Sequence, residues 1–562
     1  MPEDIPQENR TTCSQIGTCG RWFPYVIALG LVALLVGVRV WTGAGFGFQG
    51  QFGSAGEPTV ASGFLSNPED NFSYAAWAEQ ARNGRVLFDD LFTTQPHPRV
   101  FVNFYFFLVG NVSRVLNVPV TAVLILFGIS GAALTVILAF RVALLLGFPE
   151  SAARWGTVFA AFSSGFSGLT ILINKIAGTS LPAAAADLEH QDALLISTFF
   201  AYPYHAAAVA MMAVLIAALL SQEGTDEQGR GFGTILVLPL LALMLSWTRP
   251  YEITMLTASF GIYVLLLMGS RNAAWTNSLK LLVIIGCAAL PALAYYHSLE
   301  RLQVWSYFAL LSWDHPRERW WWLIGYGAAL PFALVGSVLC FRNAQWSRGR
   351  WFALWVGLLV VFLVVVPIRQ TKICNGGYFP MTILAGLGFS WLLERVSRVP
   401  GVWLRALSRV GAACCCVLFF ITLPFLVTGY SAHRFSSDLK YAVHDIKKLS
   451  GTSLQPPTVL CDTETGKILP GIGGVRVFAG HWALTPEFEL KQEQLIAAGV
   501  EPSESSGIHP RFEAFSRLLT MNRFDYLLLK RQTPASRFVP HIARLEPIHD
   551  YGTFRLYRMK QE

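Results

Sequence analysis

The sequence predicts a polytopic α-helical membrane protein that ends in a small extracytoplasmic α/β domain. Only 14% of the 562 residues are charged, against about 25% in ordinary soluble domains. Apolar runs of about twenty residues, long enough to cross a bilayer as helices, recur along the first three quarters of the chain. From residue 431 onwards, short strand patterns alternate with helical ones, as in a soluble α/β domain.

The first apolar run, 24–40, follows a polar tail, 1–23, that we assign to the cytoplasm. The tail lacks the charged start and the small-residue cleavage site of a signal peptide, so we expect the run to remain as an anchor. With the later runs the sequence predicts about eleven spans. These later runs are 119–140, 155–172, 194–220, 232–247, 252–269, 279–297, 323–341, 351–367, 377–394 and 408–429.

The run 100–116 allows two topologies. If it spans the bilayer, Arg141 and Arg154 lie on the same side as the polar segment that precedes it; if it lies in the interface, they face the cytoplasm. Basic residues are enriched in cytoplasmic loops, which favours the second topology. The transmembrane domain is then 24–430, with an outer loop at 44–118, and the α/β domain is 431–562 on the outer side.

The organising segment is 66–99, SNPEDNFSYAAWAEQARNGRVLFDDLFTTQPHPR, within that outer loop. Asn67 is a good helix N-cap, and Gly84 is expected to end the helix. Glu69 and Asp70 form an acidic pair in its first turn, and His97 lies between two prolines at the end of the segment. We expect the helix to lie along the membrane interface and to form half of an active site.

The predicted topology gathers further ionisable residues at the outer membrane edge, where such groups tend to mark substrate paths. A carboxylate there can act as a general base on an acceptor, and Arg or Lys can hold the phosphate of a lipid-linked leaving group. Besides Glu69, Asp70 and His97, the candidates are His205, Arg249, Glu252, Arg369, Lys372 and the cluster Asp187, Glu189, His190 and Asp192.

Several of these residues also have a purely structural interpretation. The helix dipole alone favours acids such as Glu69 and Asp70 in a first turn. His97 can hydrogen-bond its own loop, and His205 can be an ordinary interfacial histidine near the end of a span.

The other candidates have such interpretations too. Arg249 and Glu252 can pair across one helical turn, and Arg369 and Lys372 can contact lipid headgroups. The cluster 187–192 has a spacing that a metal could use, but acids in loops are usually just solvated.

The anchor, outer loop and acidic pair resemble the GT-C superfamily of polytopic glycosyltransferases. This superfamily includes protein O-mannosyltransferases, aminoarabinose transferases and oligosaccharyltransferases. Most of the chain is similar to a group of uncharacterised bacterial GT-C-like proteins with a C-terminal outer domain. The similarity rests on PEDNFSYAAWAEQARNGR, FTTQPHPR, FAYPYHAAA, WTRPYE, PIRQTKICNGGYFP and VFAGHWALTP. The oligosaccharyltransferase signature WWDYG is absent from the sequence, which argues against asparagine glycosylation.

The resemblance implies an inner-membrane glycosyltransferase that moves a sugar from a polyprenyl-phosphate donor to a cell-envelope glycan, lipid or protein. It implies Asp70 as the catalytic base with Glu69 as its neighbour. We expect His97, His205, Arg249, Arg369, Lys372 and His481 to bind the substrates. Metal use varies across the superfamily, so a divalent metal cofactor is left open and no metal ligand is assigned.

The alternative function is a transporter or flippase for a lipid-linked or amphipathic solute. Transporters commonly have paired halves with broken spans at matching positions, and the sequence has no such halves. The basic residues are scattered through short loops instead of clustering, so the formal charge of +8 is no indication of nucleic-acid binding.

Overall fold

The fold is seen in a computed structural model. It describes residues 18–44, 50–52, 58–180, 194–223, 232–302, 304–305, 319–365, 376–398, 421–423, 433–451, 455–502 and 509–560.

Helices make up almost all of the described chain up to residue 398. In chain order they are α1 Thr18–Trp41, α2 Pro68–Arg82, α3 Phe104–Leu116, α4 Val120–Leu145, α5 Glu150–Phe162, α6 Ser167–Ala177, α7 Leu195–Ala201, α8 Pro203–Glu223, α9 Phe232–Thr248, α10 Pro250–Gly269, α11 Trp275–Leu299, α12 Arg319–Tyr326, α13 Ala329–Arg342, α14 Gly349–Val365 and α15 Tyr378–Ser397.

Within the described residues, five helices are long and apolar enough to cross a membrane: α1, α4, α8, α10 and α11. A sixth span is formed if α5 and α6, which meet at an angle of 62°, are counted together. Shorter apolar helices occupy most of the remaining predicted spans. The predicted span 408–429 lies outside the described residues except for 421–423.

Two predicted spans are broken where the sequence suggested continuous helices. The run 155–172 bends between α5 and α6, and the run 323–341 breaks at Gly327, which has a φ of +52°. The two breaks lie against each other, because the backbone N–H of Phe166 donates to the carbonyl of Ile324 over 2.8 Å. Non-helical backbone at membrane depth is tolerated where protein groups satisfy it in this way.

Helix α3, in the ambiguous run 100–116, has only thirteen residues. Its length of about 20 Å is less than the roughly 30 Å of a bilayer core, which favours the interfacial placement. It lies against α2 at backbone contact, since a Cβ on Gly110 would be 2.3 Å from the carbonyl oxygen of Ala78. Asn103 caps α3 by accepting from the backbone N–H groups of Tyr105 and Phe106.

The C-terminal region is an α/β domain built on a five-stranded sheet with the order β5-β4-β6-β8-β7. Strand β4 pairs in parallel with β5 and β6, and the other pairs are antiparallel. Its elements are α16 Ser437–Ser450, β4 Thr458–Leu460, α17 Thr463–Gly473, β5 Arg476–Val477, α18 Phe488–Ala497, α19 Phe512–Met521, β6 Tyr526–Lys530, α20 Ala535–Phe538, β7 Leu545–Asp550 and β8 Phe554–Met559.

The patterns TVLC, VRVF, FDYLLLK and FRLYRM predict every strand of this sheet except β7. Its sequence, LEPIHD, contains a proline and two acids, and most of its residues are exposed. These features fit an edge strand, which needs neither an apolar alternation nor an N–H group at every position.

The α/β domain is attached to the loop that carries α2. A second sheet joins β1 Gly50–Phe52, β2 Pro58–Ala61 and β3 Arg434–Ser436 in that order, with all pairs antiparallel. Helix α17 packs on α2 so closely that a Cβ on Gly471 would lie 2.7 Å from the carbonyl oxygen of Phe72. The outer loop and the C-terminal domain, which are far apart in the sequence, are therefore neighbours in the fold.

Glycines bring the membrane helices α5 and α15 to backbone contact, as small residues commonly do between such helices. A Cβ on Gly386 of α15 would lie 2.3 Å from the backbone nitrogen of Gly156 in α5. We expect Gly386→Ala to lower the free energy of unfolding by about 1–3 kcal/mol, because neither backbone can move freely. Thermal unfolding of the detergent-purified protein measures the effect.

Gly357→Ala in α14 is the matched control. Among the described residues, no atom outside the helix's own backbone lies within 4 Å of the added Cβ, and replacing a glycine within a helix should raise stability by up to about 1 kcal/mol. Equal melting temperatures for the two variants would contradict the close contact at Gly386.

Candidate active site

The carboxylate of Asp70 lies at the centre of the candidate site. Its Oδ2 accepts hydrogen bonds from Asn67 Nδ2 at 2.9 Å and from the Tyr202 hydroxyl at 3.0 Å. Its Oδ1 lies 2.9 Å from Nε2 of His481. The three partners come from the start of α2, the α7–α8 junction and the α/β domain. A helix-dipole role alone does not account for an acid held by three separate parts of the chain.

Asn67 is the N-cap of α2, as the sequence predicts, but its side chain makes no capping hydrogen bond. It adopts the left-handed conformation, with φ 45° and ψ 55°, and its amide instead donates to Asp70. Asparagine tolerates this conformation better than most residues. The cap position is therefore used to orient the carboxylate.

The imidazole of His481 is held in one tautomer. The backbone N–H of Ala483 donates to Nδ1 over 3.1 Å, so the ring proton is on Nε2, where it donates to Asp70. Phe92 contacts the ring edge-on, with 5.8 Å between centroids. The Thr485 hydroxyl accepts from the N–H of Gly480 and donates to the carbonyl of Phe92, which ties the turn to the outer loop.

The sequence placed Glu69 beside Asp70 in the catalytic pair. The structure places its carboxylate 2.6 Å from Lys467 Nζ of α17, which also lies 2.7 Å from Glu464. Glu69 thus contributes to the contact between α2 and the α/β domain.

His97, predicted to bind substrate, has a side chain only 2% exposed and lies within the outer loop. Its Nδ1 is 2.7 Å from the carbonyl of Gln95, and its Nε2 is 2.7 Å from Asp89 Oδ1. Burial alone would lower the pKa of His97, but the Asp89 hydrogen bond and charge raise it above its usual value. Burial alone would raise the pKa of Asp89, whereas His97, Arg476 and Arg99 hold it below its usual value.

Two buried charges in this region were not singled out from the sequence. Asp90 is 1% exposed, and its Oδ2 has no hydrogen-bond partner among the described residues. Burial raises the pKa of Asp90 to about 6, against the opposing effects of the Phe92 N–H and His97. Lys491 donates to Thr93 Oγ1 at 2.9 Å, and burial lowers its pKa to about 8. The FDDLFTT sequence gave no indication that the second acid would be buried.

A group of aromatic rings leads from Asp70 to a buried ion pair. His205 stacks on Tyr202 at 4.4 Å, and Tyr74 contacts both His205 and Tyr204. The guanidinium of Arg249 lies over the Tyr204 ring, 5.6 Å from its centroid. Sequence analysis selected His205 and passed over Tyr202, which is the residue that bonds Asp70.

Arg249 Nε lies 2.9 Å from Glu252 Oε1, and both side chains are at most 5% exposed. A Cβ on Gly376 would lie 3.3 Å from Glu252 Cγ. Gly376 therefore lies against this ion pair. Arg369 and Lys372 themselves lie outside the described residues, as do Asp187, Glu189, His190 and Asp192.

The described part of the chain contains no group of three or more His, Cys, Asp or Glu placed to hold a metal ion.

The chain matches no protein-family model and no curated protein sequence. Solved structures do match it. The oligosaccharyltransferase of Archaeoglobus fulgidus has a TM-score of 0.59 at 11% identity, over 91% of this chain and 70% of that one. The same protein also matches in complex with an inhibitory peptide and a dolichol-phosphate, with a TM-score of 0.55.

ArnT from Cupriavidus metallidurans bound to undecaprenyl phosphate matches with a TM-score of 0.53 at 10% identity, over 95% of this chain and 97% of that one. The chain has the GT-C fold. The mycobacterial arabinofuranosyltransferase AftD also matches, with a TM-score of 0.50 at 13% identity. That match covers 96% of this chain but 40% of AftD. The GT-C fold predicted from the sequence is thus confirmed, in an integral membrane protein.

The ion pair of His97 and Asp89 predicts a pH-dependent stability. The pKa of His97 is raised above 6.5, so its contribution is fully present below pH 6.5 and is lost as the pH rises through the raised value. We expect the melting temperature of wild type to exceed that of His97→Gln by more at pH 6 than at pH 9. If the difference in melting temperature between wild type and His97→Gln does not change with pH, His97 does not carry a charge in the folded protein.

Proposed function

We propose that this GT-C-fold protein is a glycosyltransferase that moves a sugar from a polyprenyl phosphate to a cell-envelope acceptor. Its active site would face the extracytoplasmic side of the inner membrane. The observation that carries the proposal is the Asp70 carboxylate, held by Asn67, Tyr202 and His481 where the membrane helices meet the α/β domain. Lipid phosphates bound to the matching oligosaccharyltransferase and ArnT support the choice of donor.

Asp70 is the proposed general base. Hydrogen bonds from the Tyr202 hydroxyl, the Asn67 amide and the His481 N–H fix the position of its two oxygen atoms. In the transfer step, Asp70 takes the proton from an acceptor hydroxyl or amine. The acceptor atom bonds to the anomeric carbon of the donor sugar as the bond from that carbon to the phosphate oxygen breaks. The electron pair leaves with the phosphate, giving free polyprenyl phosphate.

The leaving phosphate is assigned to Arg249 together with Arg369 and Lys372. Burying the Arg249–Glu252 ion pair is costly, and such pairs within a membrane tend to mark functional sites. Gly376, which follows Lys372 by four residues in the sequence, lies against Glu252. A guanidinium can hold a phosphate with two parallel hydrogen bonds as negative charge develops in the transition state.

Of the three histidines, we assign two to the support of the Asp70 site and one to the stability of the outer loop. His481 orients Asp70, while His205 supports Tyr202 by stacking on its ring. His97 is assigned to the stability of the outer loop through its pairing with Asp89. Assays with and without EDTA, Mg²⁺ and Mn²⁺ test whether a divalent cation takes part.

The first test is transfer by the full chain in nanodiscs, supplied with tritiated undecaprenyl-phosphate sugars and bacterial envelope extract. Label should move from the lipid to an acceptor or, more slowly, to water. Asp70→Asn should lower either rate by about 10²- to 10⁴-fold, because it removes the base while keeping the shape. Tyr202→Phe should lower the rate by about tenfold through the loss of one hydrogen bond.

Glu150→Gln is the matched control, since Glu150 is also an acid in the first turn of a helix. Its activity should equal that of wild type. An Asp70→Asn variant that retains activity would overturn the assignment of the base. Movement of intact labelled lipid across the bilayer without transfer would instead indicate a flippase.

A second test concerns the phosphate. Lys372→Gln should raise KM for the labelled donor about tenfold or more, because it removes one charge-assisted hydrogen bond to the phosphate. Lys280→Gln, a lysine of α11 that we place in a cytoplasmic connection, is the control. An unchanged KM in Lys372→Gln would remove this lysine from the donor site.

A further inference from the structure

Trp482 occupies an unusual position in the turn that carries His481. Of residues 478–486, eight are buried, and the one exposed side chain is this indole, which is 47% exposed. A large apolar side chain in a tightly held turn would ordinarily be directed inwards. Its exposure beside a reactive carboxylate points to a contact with a ligand.

The indole lies in the layer next to His481. The two rings are nearly parallel, with an interplanar angle of 14° and 6.1 Å between centroids. His481 bonds Asp70 through Nε2, at the edge of its ring. A flat ligand resting on the indole therefore lies beside the residue that orients the Asp70 carboxylate.

Glu487 provides a second and independent observation at the same turn. It has φ 55° and ψ 43°, the left-handed conformation that favours glycine, and its side chain makes no capping bond to α18. Backbone strain of this kind tends to persist at ligand-binding sites. Its carboxylate is exposed and is available to accept hydrogen bonds from hydroxyl or amino groups.

The charges of the segment that carries the indole restrict the class of ligand. Residues 481–493 are all described; their exposed ionisable groups are Glu487, Glu489 and Glu493, and their one lysine, Lys491, is buried. An acidic surface repels anionic lipid headgroups, whereas aromatic residues at a membrane interface are commonly accompanied by Lys or Arg. The acidic surface beside the indole suits a ligand with an apolar ring face and neutral or cationic polar groups.

We propose that Trp482 and Glu487 form a binding site for an acceptor sugar that carries no acidic group. The inference rests on the proposed transferase function and names the acceptor class for the same site. The C–H face of the sugar stacks on the indole, and Glu487 accepts from its hydroxyl or amino groups. The site then lies on the turn whose His481 bonds Asp70.

Saturation-transfer NMR on the full chain in nanodiscs tests this binding without a donor. The probes are methyl glucoside, methyl mannoside and methyl glucosaminide, with methyl glucuronide as the acidic comparison. We expect saturable transfer to the first three and at least about tenfold weaker binding of the glucuronide. Trp482→Ala should weaken binding of the neutral probes by roughly 10- to 100-fold, and Trp482→Phe by less.

Glu487→Gly separates a binding role from a structural one. Glycine relieves the left-handed strain, so this variant should melt at a higher temperature than wild type and still bind the probes less tightly. Unchanged binding in Glu487→Gly would remove Glu487 from the site. Met521→Ala, which removes an exposed apolar side chain elsewhere in the domain, is the control and should bind as wild type does.

Three results would overturn the proposal. One is the absence of saturation transfer to any probe, and another is equal binding by wild type and Trp482→Ala. The third is bilayer contact, seen if brominated phospholipids quench a fluorescence component that Trp482→Phe lacks. Because the assay needs no donor, sugar binding can be found even if no labelled lipid is turned over, and its failure leaves the Asp70 test intact.

Discussion

The hydrogen bond between Asp70 and His481 joins residues 411 positions apart, and much of the architecture serves to form it. Asp70 is fixed by the start of α2, and His481 by a turn of the α/β domain. The bond requires the domain to sit on the outer loop with little freedom. The backbone contact between α17 and α2, the three-stranded sheet from both ends of the chain and the Thr485 bridge to Phe92 all restrict that freedom.

Charged groups also join the domain to the outer loop and α2, and several of them are removed from water. Lys467 joins Glu69, Lys447 joins Glu79, and Arg476 joins Asp89, with one partner from the domain in each pair. Buried or half-buried pairs contribute little net stability, because desolvation offsets much of their attraction. Their value is in fixing one docking geometry, since a shifted domain would separate buried acids such as Asp89 from their partners in the domain.

The sequence predicted the structure best where it contains a regular residue pattern or a local helix signal. Apolar runs located the membrane helices, and α2 begins at the predicted Asn67–Pro68 step because proline suits a first helical turn. The resemblance in the acidic segment led to the GT-C fold that the structural comparisons support. The breaks near Ser163 and Gly327 were not visible, because each depends on contact with the other.

The candidate site was only partly accessible from sequence for the same reason. Asp70 could be selected because it opens a helix in a polar loop, but its partners depend on tertiary packing. Nothing in AYPYHAAA favours Tyr202 over His205, although the tyrosine is the residue that bonds the acid. In the sequence, Asp90 and Lys491 resemble surface charges, because only the packing of the α/β domain on the outer loop buries them. The position of His97 between two prolines gives no indication of its Asp89 partner.

The wide separation of Asp70 and His481 along the chain also sets an order of events during synthesis. The loop bearing Asp70 leaves the ribosome early, whereas the histidine follows 411 residues later, after roughly 20 to 80 s at ordinary elongation rates. During that interval the growing chain can insert its helices, but the carboxylate lacks its imidazole partner. Completion of the candidate site thus waits for synthesis of the α/β domain, so membrane insertion is largely complete before the bond between Asp70 and His481 can form.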